Sequence, residues 1–245
     1  MHRFFVRPED FSSGEVVLRG SDVSHIRTVL RLKPGDRIQV LDGLGSRYGV
    51  RLTEVRLKEV KGRVETKETV QTESPLNLRM GLPLLKGNKF DQILRKSVEL
   101  GVRSVVSLRT DRCVVRVLRT EEDKKISRWE KIAKEAAKQS GRTELTAVHP
   151  KMETVENFCR ECQDFDVKLI FWEEEEILRL KDVPVENSPR SIAFLTGPEG
   201  GFTGEEVASA CRWGFQPVSL GPRILRAETA PVVVLSLLQN RWGDL

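Results

Sequence analysis

Long hydrophobic runs and cysteine-rich patterns are both missing from this sequence of 245 residues. Its longest apolar stretches are short, as in residues 232–235, whereas a membrane-spanning helix needs about 20 apolar residues. Residues 1–5 also lack the apolar core that is typical of a signal peptide. Together these absences argue against a membrane-spanning or secreted protein, and they predict a cytoplasmic protein without membrane contact.

The four cysteines are too few and too scattered for a disulfide framework. Cys159 and Cys162 have the C-x-x-C spacing of some zinc and redox sites, but a structural zinc ion needs two more ligands. The only histidine near them in the sequence is His149, and the other cysteines are distant. The pattern therefore favours buried thiols on a helix, and no metal is expected.

Charge is distributed unevenly along the chain, whose formal net charge is +5 and whose pI is about 9.1. Residues 1–72 contain 14 lysine and arginine residues against 10 acidic residues, whereas residues 73–245 contain 27 against 26. A basic surplus in the first third is typical of a module that binds phosphates. A mildly basic solvated surface has the same composition, so charge alone leaves both interpretations open.

The first third of the chain predicts a small β-rich domain. Apolar residues alternate with polar ones in residues 36–42 and again in residues 48–52, which predicts a hairpin of a small barrel. The polar stretch of residues 65–74 then marks a boundary. Two domains are therefore expected, one of residues 1–72 and one of residues 73–245.

A short helix is predicted before this hairpin, with Val23, Ile26 and Leu30 on its apolar side. Arg27 and Arg31 are four residues apart, so in a helix they share one face beside the apolar side. Two exposed arginines in this position can bind phosphates or simply be solvated.

From residue 76 onward, strand-like and helix-like patterns alternate up to the C-terminus. Such β–α alternation predicts an α/β fold with a mostly parallel sheet and helices on both faces. The last predicted helix, residues 229–241, is apolar around most of its circumference, so both of its sides must be covered. A subunit interface and a fully internal helix are equally compatible with that pattern.

Two glycine-bearing segments, residues 196–204 and 220–230, each follow a predicted strand. Ligands of open α/β sheets bind beyond the carboxyl ends of the strands, where both segments are expected. Neither segment has the pattern of a P-loop or of a dinucleotide-binding loop, and Glu199 would repel phosphates. A carboxylate at this point tolerates a cationic ligand, and a sulfonium such as S-adenosylmethionine is one. The acidic residues 173–176 are interpreted as a solvated loop.

The chain resembles the 16S ribosomal RNA uridine-N3 methyltransferases, the RsmE family of the SPOUT superfamily, nearly from end to end. The motifs that carry the resemblance are residues 1–6 (M-H-R-F-F-V), 25–31 (H-I-R-T-V-L-R), 86–102 with its E-L-G-V, 135–142 (E-A-A-K-Q-S-G-R), and the two glycine segments. A lone G-P-E-G-G is a weak signal. Together with L-G-x-R-I-L-R-x-E-T-A about twenty residues later, it is a specific one.

This resemblance implies a fold, a cofactor and partners. It implies a SPOUT-type parallel sheet with a C-terminal trefoil knot, and a small N-terminal PUA-like β-barrel that grips RNA. It also implies a homodimer that uses S-adenosyl-L-methionine to methylate N3 of a uridine in ribosomal RNA of the small ribosomal subunit.

The same resemblance, position by position, implies the site residues. The cofactor pocket is expected to be Thr196, Gly197, Gly201, Leu220, Gly221, Ile224 and Leu225. Arg226 is the expected cation beside the uracil anion, with Glu199 and Glu228 as candidate bases; Glu228 can alternatively cap the last helix with Thr229. The expected RNA contacts are Arg3, His25, Arg27 and Arg31, extended from the catalytic domain by Gln139 and Arg142.

Three other functions are weighed against this one. A SPOUT methyltransferase could act on a ribose 2′-hydroxyl, and an RNA-binding assembly factor could keep the fold without activity. A dinucleotide-dependent oxidoreductase is the weakest alternative, because the sequence has no phosphate-binding fingerprint.

Overall fold

The computed structural model describes residues 1–185 and 187–245 and divides the chain into two compact units. The first unit contains Met1–Glu73 and Ala137–Leu145, and the second contains Ser74–Ala136 and Thr146–Leu245. Residues 137–145, which the sequence analysis assigned to the second domain, therefore belong to the first compact unit. Among the described residues, no helix combines the length and the apolar character needed to cross a membrane.

The first unit is built on a six-stranded sheet in the order β1-β4-β5-β6-β3-β2. Its strands are β1 (Arg3–Phe5), β2 (Phe11–Ser12), β3 (Glu15–Arg19), β4 (Arg37–Leu41), β5 (Ser46–Val55) and β6 (Glu59–Thr69). Only the β1–β4 pair is parallel. Two register shifts in the long β5–β6 hairpin increase its twist and curl the sheet. The predicted hairpin is confirmed, and its alternating Ile38, Val40, Val50 and Leu52 form the core.

The helix predicted near residue 25 is only partly confirmed. The helix α1 (Ser21–Ser24) continues as a π-helical turn over His25–Val29, in which the N–H of Leu30 donates to the carbonyl of His25 at 2.9 Å. Arg31 has left the helix, with a φ of 54°. The expectation that Arg27 and Arg31 share a helical face is therefore wrong, because the wider turn and the left-handed residue re-aim the second arginine.

The second unit contains a seven-stranded sheet whose pairings are all parallel. Its strands are β7 (Asn77–Pro83), β8 (Ser104–Arg109), β9 (Ala147–Val148), β10 (Glu153–Thr154), β11 (Val167–Phe171), β12 (Ser191–Thr196) and β13 (Gln216–Val218). The order is β10-β8-β7-β12-β11-β13, with β9 beside β8. The prediction of an α/β fold with a parallel sheet is confirmed.

Within the described residues of this unit, five α-helices accompany the sheet. They are α2 (Lys89–Glu99), α3 (Arg119–Ser140), α4 (Val155–Glu161), α5 (Gly204–Arg212) and α6 (Ala230–Trp242). The capping box predicted by T-G-E-E is present at the start of α5, where Thr203 and Glu206 exchange hydrogen bonds of 2.9 and 3.2 Å.

The apolar helix α6 is covered on one side only within the described chain. Val234, Leu235 and Leu238 are completely buried, whereas Leu237 is 44% exposed and Val232 is half-buried. Of the two possibilities for this helix, a fully internal position is therefore excluded for a single copy of the chain.

Strand order explains why the two glycine segments meet. The strands β12 and β13 flank β11 and run parallel to it, so the segments that follow all three strands leave the sheet at the same edge. The sequence analysis predicted two segments at this edge, and the sheet adds a third, beginning at Trp172.

Candidate active site

A cavity of about 680 Å³ opens at this carboxyl edge of the sheet, within the size range of small-molecule sites. All seven residues predicted to bind the cofactor line it: Thr196, Gly197, Gly201, Leu220, Gly221, Ile224 and Leu225. The three predicted catalytic residues, Arg226, Glu199 and Glu228, line it as well. The structure thus places all ten predicted cofactor-binding and catalytic residues, which come from two separate segments of the sequence, around one cavity.

The first glycine segment needs its glycines for close backbone packing. A Cβ atom on Gly197 would lie 3.3 Å from the Cα of Gly201, tighter than ordinary van der Waals contact. Gly201 itself has a φ of 69°, and a Cβ atom there would overlap the carboxylate of Glu173. A larger side chain at either position would push the segment out of shape.

Thr196, the last residue of β12, lines the cavity and carries a buried polar atom. The residue is 1% exposed, and its Oγ1 has no hydrogen-bond partner among the described residues. An unpartnered buried hydroxyl costs about 1–3 kcal/mol. A ligand that hydrogen-bonds this oxygen would recover that free energy, which makes Thr196 a candidate ligand contact.

Lys89, the first residue of α2, bridges the two glycine segments. Its Nζ lies 3.0 Å from Oε2 of Glu228 and 3.6 Å from Oε1 of Glu199. The side chains of all three are roughly 70% buried, and Oε1 of Glu199 also accepts the backbone N–H of Lys86 at 3.3 Å. The sequence analysis missed Lys89, because a lysine that begins a helix carries no signal of its own.

The ammonium of Lys89 also determines the ionisation of its partner. The hydrogen bond from Lys89 holds the pKa of Glu228 below its usual range, and the residue's own backbone N–H and Arg226 act in the same direction. Glu228 is therefore a carboxylate at neutral pH. Thr229 makes no side-chain cap of α6, so the capping interpretation of this pair finds no support.

Arg226 lines the cavity and is exposed to solvent. Its guanidinium is exposed, and its carbonyl oxygen accepts the N–H groups of Thr229 and Ala230 at 2.8 and 3.0 Å. These two bonds fix the turn into α6, so the position of the Arg226 backbone is set while its side chain is free to meet a substrate.

The acidic residues 173–176 form an exposed loop, as the sequence predicts, and part of this loop also lines the cavity. Glu173, Glu175 and Glu176 are on the cavity wall together with Arg179. Glu175 accepts the N–H groups of Ile177 and Leu178 at 2.8 and 3.0 Å, which folds the segment back on itself. The prediction of a solvated loop is confirmed, but its place on the cavity wall was not predicted, because periodicity does not show that β11 lies between β12 and β13.

Comparison with known proteins identifies the family. The family model of the RNA methyltransferase domain matches residues 72–239, and that of the RNA methyltransferase PUA domain matches residues 18–65. The chain belongs to the RNA methyltransferase family. The predicted resemblance, the enzyme class and the PUA-like N-terminal domain are therefore confirmed.

Individual relatives align with the sequence of this RNA methyltransferase over most of their length. The ribosomal RNA small subunit methyltransferase E of Synechocystis is 35% identical over 96% of the chain and 76% of the relative. The protein of the same name from Bacillus subtilis is 34% identical over 90% of the chain and 88% of the relative.

Two solved structures have the same fold throughout. The ribosomal RNA small subunit methyltransferase E of Neisseria gonorrhoeae, bound to S-adenosyl methionine, matches with a TM-score of 0.90 and 34% identity over 100% of this chain and 99% of that one. A methyltransferase from Legionella pneumophila in complex with SAM matches with a TM-score of 0.90 and 32% identity over 99% and 98%.

The residues predicted to contact RNA all lie in the first unit of this RNA methyltransferase. His25, Arg31 and Gln139 are exposed and Arg27 is half-buried. Arg3 is half-buried, and its Nη1 donates to the carbonyls of Lys138 and Gln139 at 3.0 and 3.1 Å. Gln139 and Arg142 were expected to extend the RNA surface from the catalytic domain, but both belong to the first unit.

Arg142 is buried and pairs with a carboxylate of its own unit. It is 5% exposed, its Nε donates to Oε2 of Glu73 at 2.8 Å, and Oε1 of the same carboxylate accepts the N–H of Thr143 at 2.8 Å. The Arg142 guanidinium thus faces a carboxylate instead of solvent, and we do not include it in the RNA surface proposed below.

The C-x-x-C thiols are placed in the core. Cys159 and Cys162 are both fully buried, and Cys159 lies within α4. Burial raises the pKa of Cys162 to about 12 and also raises that of Cys159, so both remain thiols at neutral pH. Their packing is that of core residues.

Proposed function

We propose that this RNA methyltransferase transfers a methyl group from S-adenosyl-L-methionine to N3 of a uridine in 16S ribosomal RNA. The observation that carries this proposal is the cavity at the sheet edge, with an unpartnered Thr196 hydroxyl on its wall. Solved relatives with the same fold are bound to S-adenosylmethionine, and curated relatives bear the name ribosomal RNA small subunit methyltransferase E. The N3 position follows from the family resemblance.

The cavity wall fits a cationic cofactor. Five carboxylates line it, against one lysine and three arginines: Glu173, Glu175, Glu176, Glu199 and Glu228. The Thr196 hydroxyl and the close-packed backbone at Gly197 and Gly201 would hold the polar groups of an adenosyl ligand. When bound, S-adenosylmethionine supplies an electrophilic methyl group on a positively charged sulfur.

The chain's own residues prepare the uridine. The lone pair of N3 is delocalised until its proton leaves, so a proton acceptor and a cation beside the resulting anion are both required. Arg226, an exposed residue that lines the cavity, is the proposed cation for a uracil carbonyl. Of the two candidate bases we favour Glu199, because the Lys89 ammonium lies closer to Glu228, at 3.0 Å against 3.6 Å, and holds the pKa of Glu228 low.

RNA docking is proposed for the N-terminal domain, residues 1–72, with methyl transfer in residues 73–245. Arg3, His25, Arg27 and Arg31 in that first part, together with Gln139, form the proposed contact set. Ribosomal RNA or the small ribosomal subunit is the proposed partner, and a cytoplasmic location is proposed with it.

A homodimer and a trefoil knot complete the proposal. The exposed side of α6, with Leu237 at 44% exposure, supports a second copy of the chain as its cover. The knot follows from the family resemblance.

Mass spectrometry of ribosomal RNA tests the reaction. RNA from cells that lack the gene should lose one N3-methyluridine, and the purified protein with S-adenosylmethionine should restore it. Loss of a ribose methyl group with base methylation intact would reject the N3 assignment. Calorimetry that detects no binding of S-adenosylmethionine would instead favour the assembly-factor alternative.

Reversal of charge tests the docking set. Arg27→Glu with Arg31→Glu should weaken RNA binding and flatten its salt dependence while leaving the affinity for S-adenosylmethionine unchanged. The measurement is fluorescence anisotropy of labelled RNA at several salt concentrations. Unchanged RNA affinity in this variant would remove the docking role of these arginines.

A further inference from the structure

A groove between α2 and α3 is a basic surface feature of the second unit outside the active site. It has a volume of about 480 Å³. Four cationic side chains and one acidic one line it: Arg95, Lys124, Arg128, Lys131 and Glu135. The groove therefore carries a clear surplus of positive charge, although residues 73–245 as a whole are almost neutral.

The cations converge on the groove from both walls. Lys124, Arg128 and Lys131 are spaced by four and three residues, which places them on one face of α3. Arg95 approaches from α2 on the other side, and Ile132 contributes an apolar patch between them. An extended chain of anions lying along the groove would meet several of these charges at once.

Most of these cations have no acidic partner. Within residues 1–185 and 187–245, no carboxylate lies within ion-pair distance of Arg95, Lys124 or Lys131. Arg128 alone among the four is paired, with Asp91 of α2. Three positive charges are thus available to a ligand without first breaking an internal ion pair.

The two walls are held together by buried contacts beneath the groove. Asp91 is 7% exposed, and its Oδ1 accepts the indole N–H of Trp129 at 3.1 Å while Oδ2 pairs with Arg128. The Trp129 ring stacks on Phe90 with a centroid separation of 4.0 Å. These contacts join α2 to α3, so a ligand does not have to order the groove when it binds.

The groove and the active site share an edge of the sheet. The helix α2 follows β7 and α3 follows β8, so both helices start on the side where the carboxyl ends of these parallel strands lie. The active-site cavity opens at the same edge, and its Lys89 is the first residue of α2. RNA that leaves the cavity along α2 would enter the groove.

We propose that this groove binds the phosphodiester backbone of the RNA substrate, away from the nucleotide that is modified. The proposal rests on the proposed function, because it takes the substrate to be a long RNA. Lys124, Lys131 and Arg95 contact phosphate oxygens, and Arg128 is oriented by Asp91. The ligand class follows from charge complementarity, since a polyanion fits converging cations that have no internal partners.

The test compares two charge-reversal variants of the full-length protein. Lys124→Glu with Lys131→Glu reverses two groove charges, and the control Lys151→Glu with Arg212→Glu changes the net charge by the same amount at exposed positions outside the groove. Anisotropy of a labelled 16S ribosomal RNA transcript at several salt concentrations gives the affinity and its salt slope. Calorimetry with S-adenosylmethionine gives the cofactor affinity of each protein.

The groove variant should bind the transcript at least tenfold more weakly at moderate salt, with a salt slope shallower by about 1.5. Its cofactor affinity should be unchanged, and the control should lose less than threefold in RNA affinity. Equal RNA affinity and slope in the groove variant and the wild-type protein would overturn the proposal, as would equal losses in groove variant and control. Failure of the wild-type protein to bind the transcript or the cofactor would count against the proposed function itself.

Discussion

Single residues at the sheet edge determine what the cavity can do. Lys89 joins the two glycine segments through Glu199 and Glu228, Thr196 offers an unpartnered hydroxyl, and Arg226 remains exposed beside them. In the proposed mechanism Lys89 holds the site together, Thr196 binds the methyl donor and Arg226 meets the uridine. Their separate roles make separate substitutions informative.

Arg226→Ala should slow methyl transfer by about 100-fold or more, because a cation beside the developing uracil anion stabilises the transition state more than the ground state. Cofactor affinity should change less than threefold. Single-turnover kinetics with saturating RNA measures the first quantity and calorimetry the second. Near-normal turnover would refute the role of Arg226.

Thr196→Val should have opposite effects on stability and on binding. Removing a buried hydroxyl that has no partner should leave the free protein equally stable or more stable, while S-adenosylmethionine should bind roughly tenfold more weakly. Thr146→Val is the matched control, because the buried Thr146 hydroxyl donates to the carbonyl of Val102 at 2.8 Å. The control should lose about 1 kcal/mol of stability and keep its cofactor affinity. Unaltered cofactor affinity in Thr196→Val would show that this hydroxyl does not contact the ligand.

Individual strands and helices were predicted from the sequence more accurately than the order of the strands in the sheet. Alternation around Ile38 and Val40 and the T-G-E-E start of α5 are local patterns, and the structure confirms both. The π-helical turn at His25–Val29 has no period of its own in five residues, so its effect on Arg31 could not be foreseen. Strand order was also out of reach, since crossovers decide which parallel strands are neighbours.

The exposed side of helix α6 is the proposed contact surface of the homodimer. Leu237→Lys places a charge on its uncovered side and should weaken a homodimer by at least tenfold, because a lysine ammonium cannot be buried without a partner. Ala208→Lys, at an exposed position of α5, is the control. Analytical ultracentrifugation over a range of concentrations measures both. A dimer of unchanged affinity in Leu237→Lys would mean that another surface forms the interface.

At the scale of the whole molecule, the chain leaves its first unit and returns to it. Residues 137–145 belong to the first unit although they follow α3, and Glu73 binds this returning segment through Arg142 and Thr143. Burial alone would raise the pKa of Glu73, but the Arg142 guanidinium and the N–H groups of Thr143 and Glu144 outweigh it and lower the pKa below 4.5.

This carboxylate predicts a pH dependence of stability. Because the pKa of Glu73 is lowered on folding, its contribution is fully present above pH 4.5 and is lost as the pH falls through the folded-state value. Glu73→Gln should therefore cost about 3 kcal/mol near neutral pH and much less in strong acid. Urea unfolding of the wild-type protein and the variant, near neutral pH and in strong acid, measures the difference in free energy of unfolding at each pH. A cost that does not depend on pH would assign the effect to packing and not to the charge.

The central claim is that the cavity between the glycine segments holds the methyl donor, and a crystal structure with S-adenosylmethionine tests it most directly. The account predicts density for the donor inside the cavity, with the Thr196 Oγ1 within hydrogen-bond distance and the methyl group directed toward the side on which Arg226 lies. Density for the donor at another surface, or an empty cavity at saturating donor concentration, would contradict it.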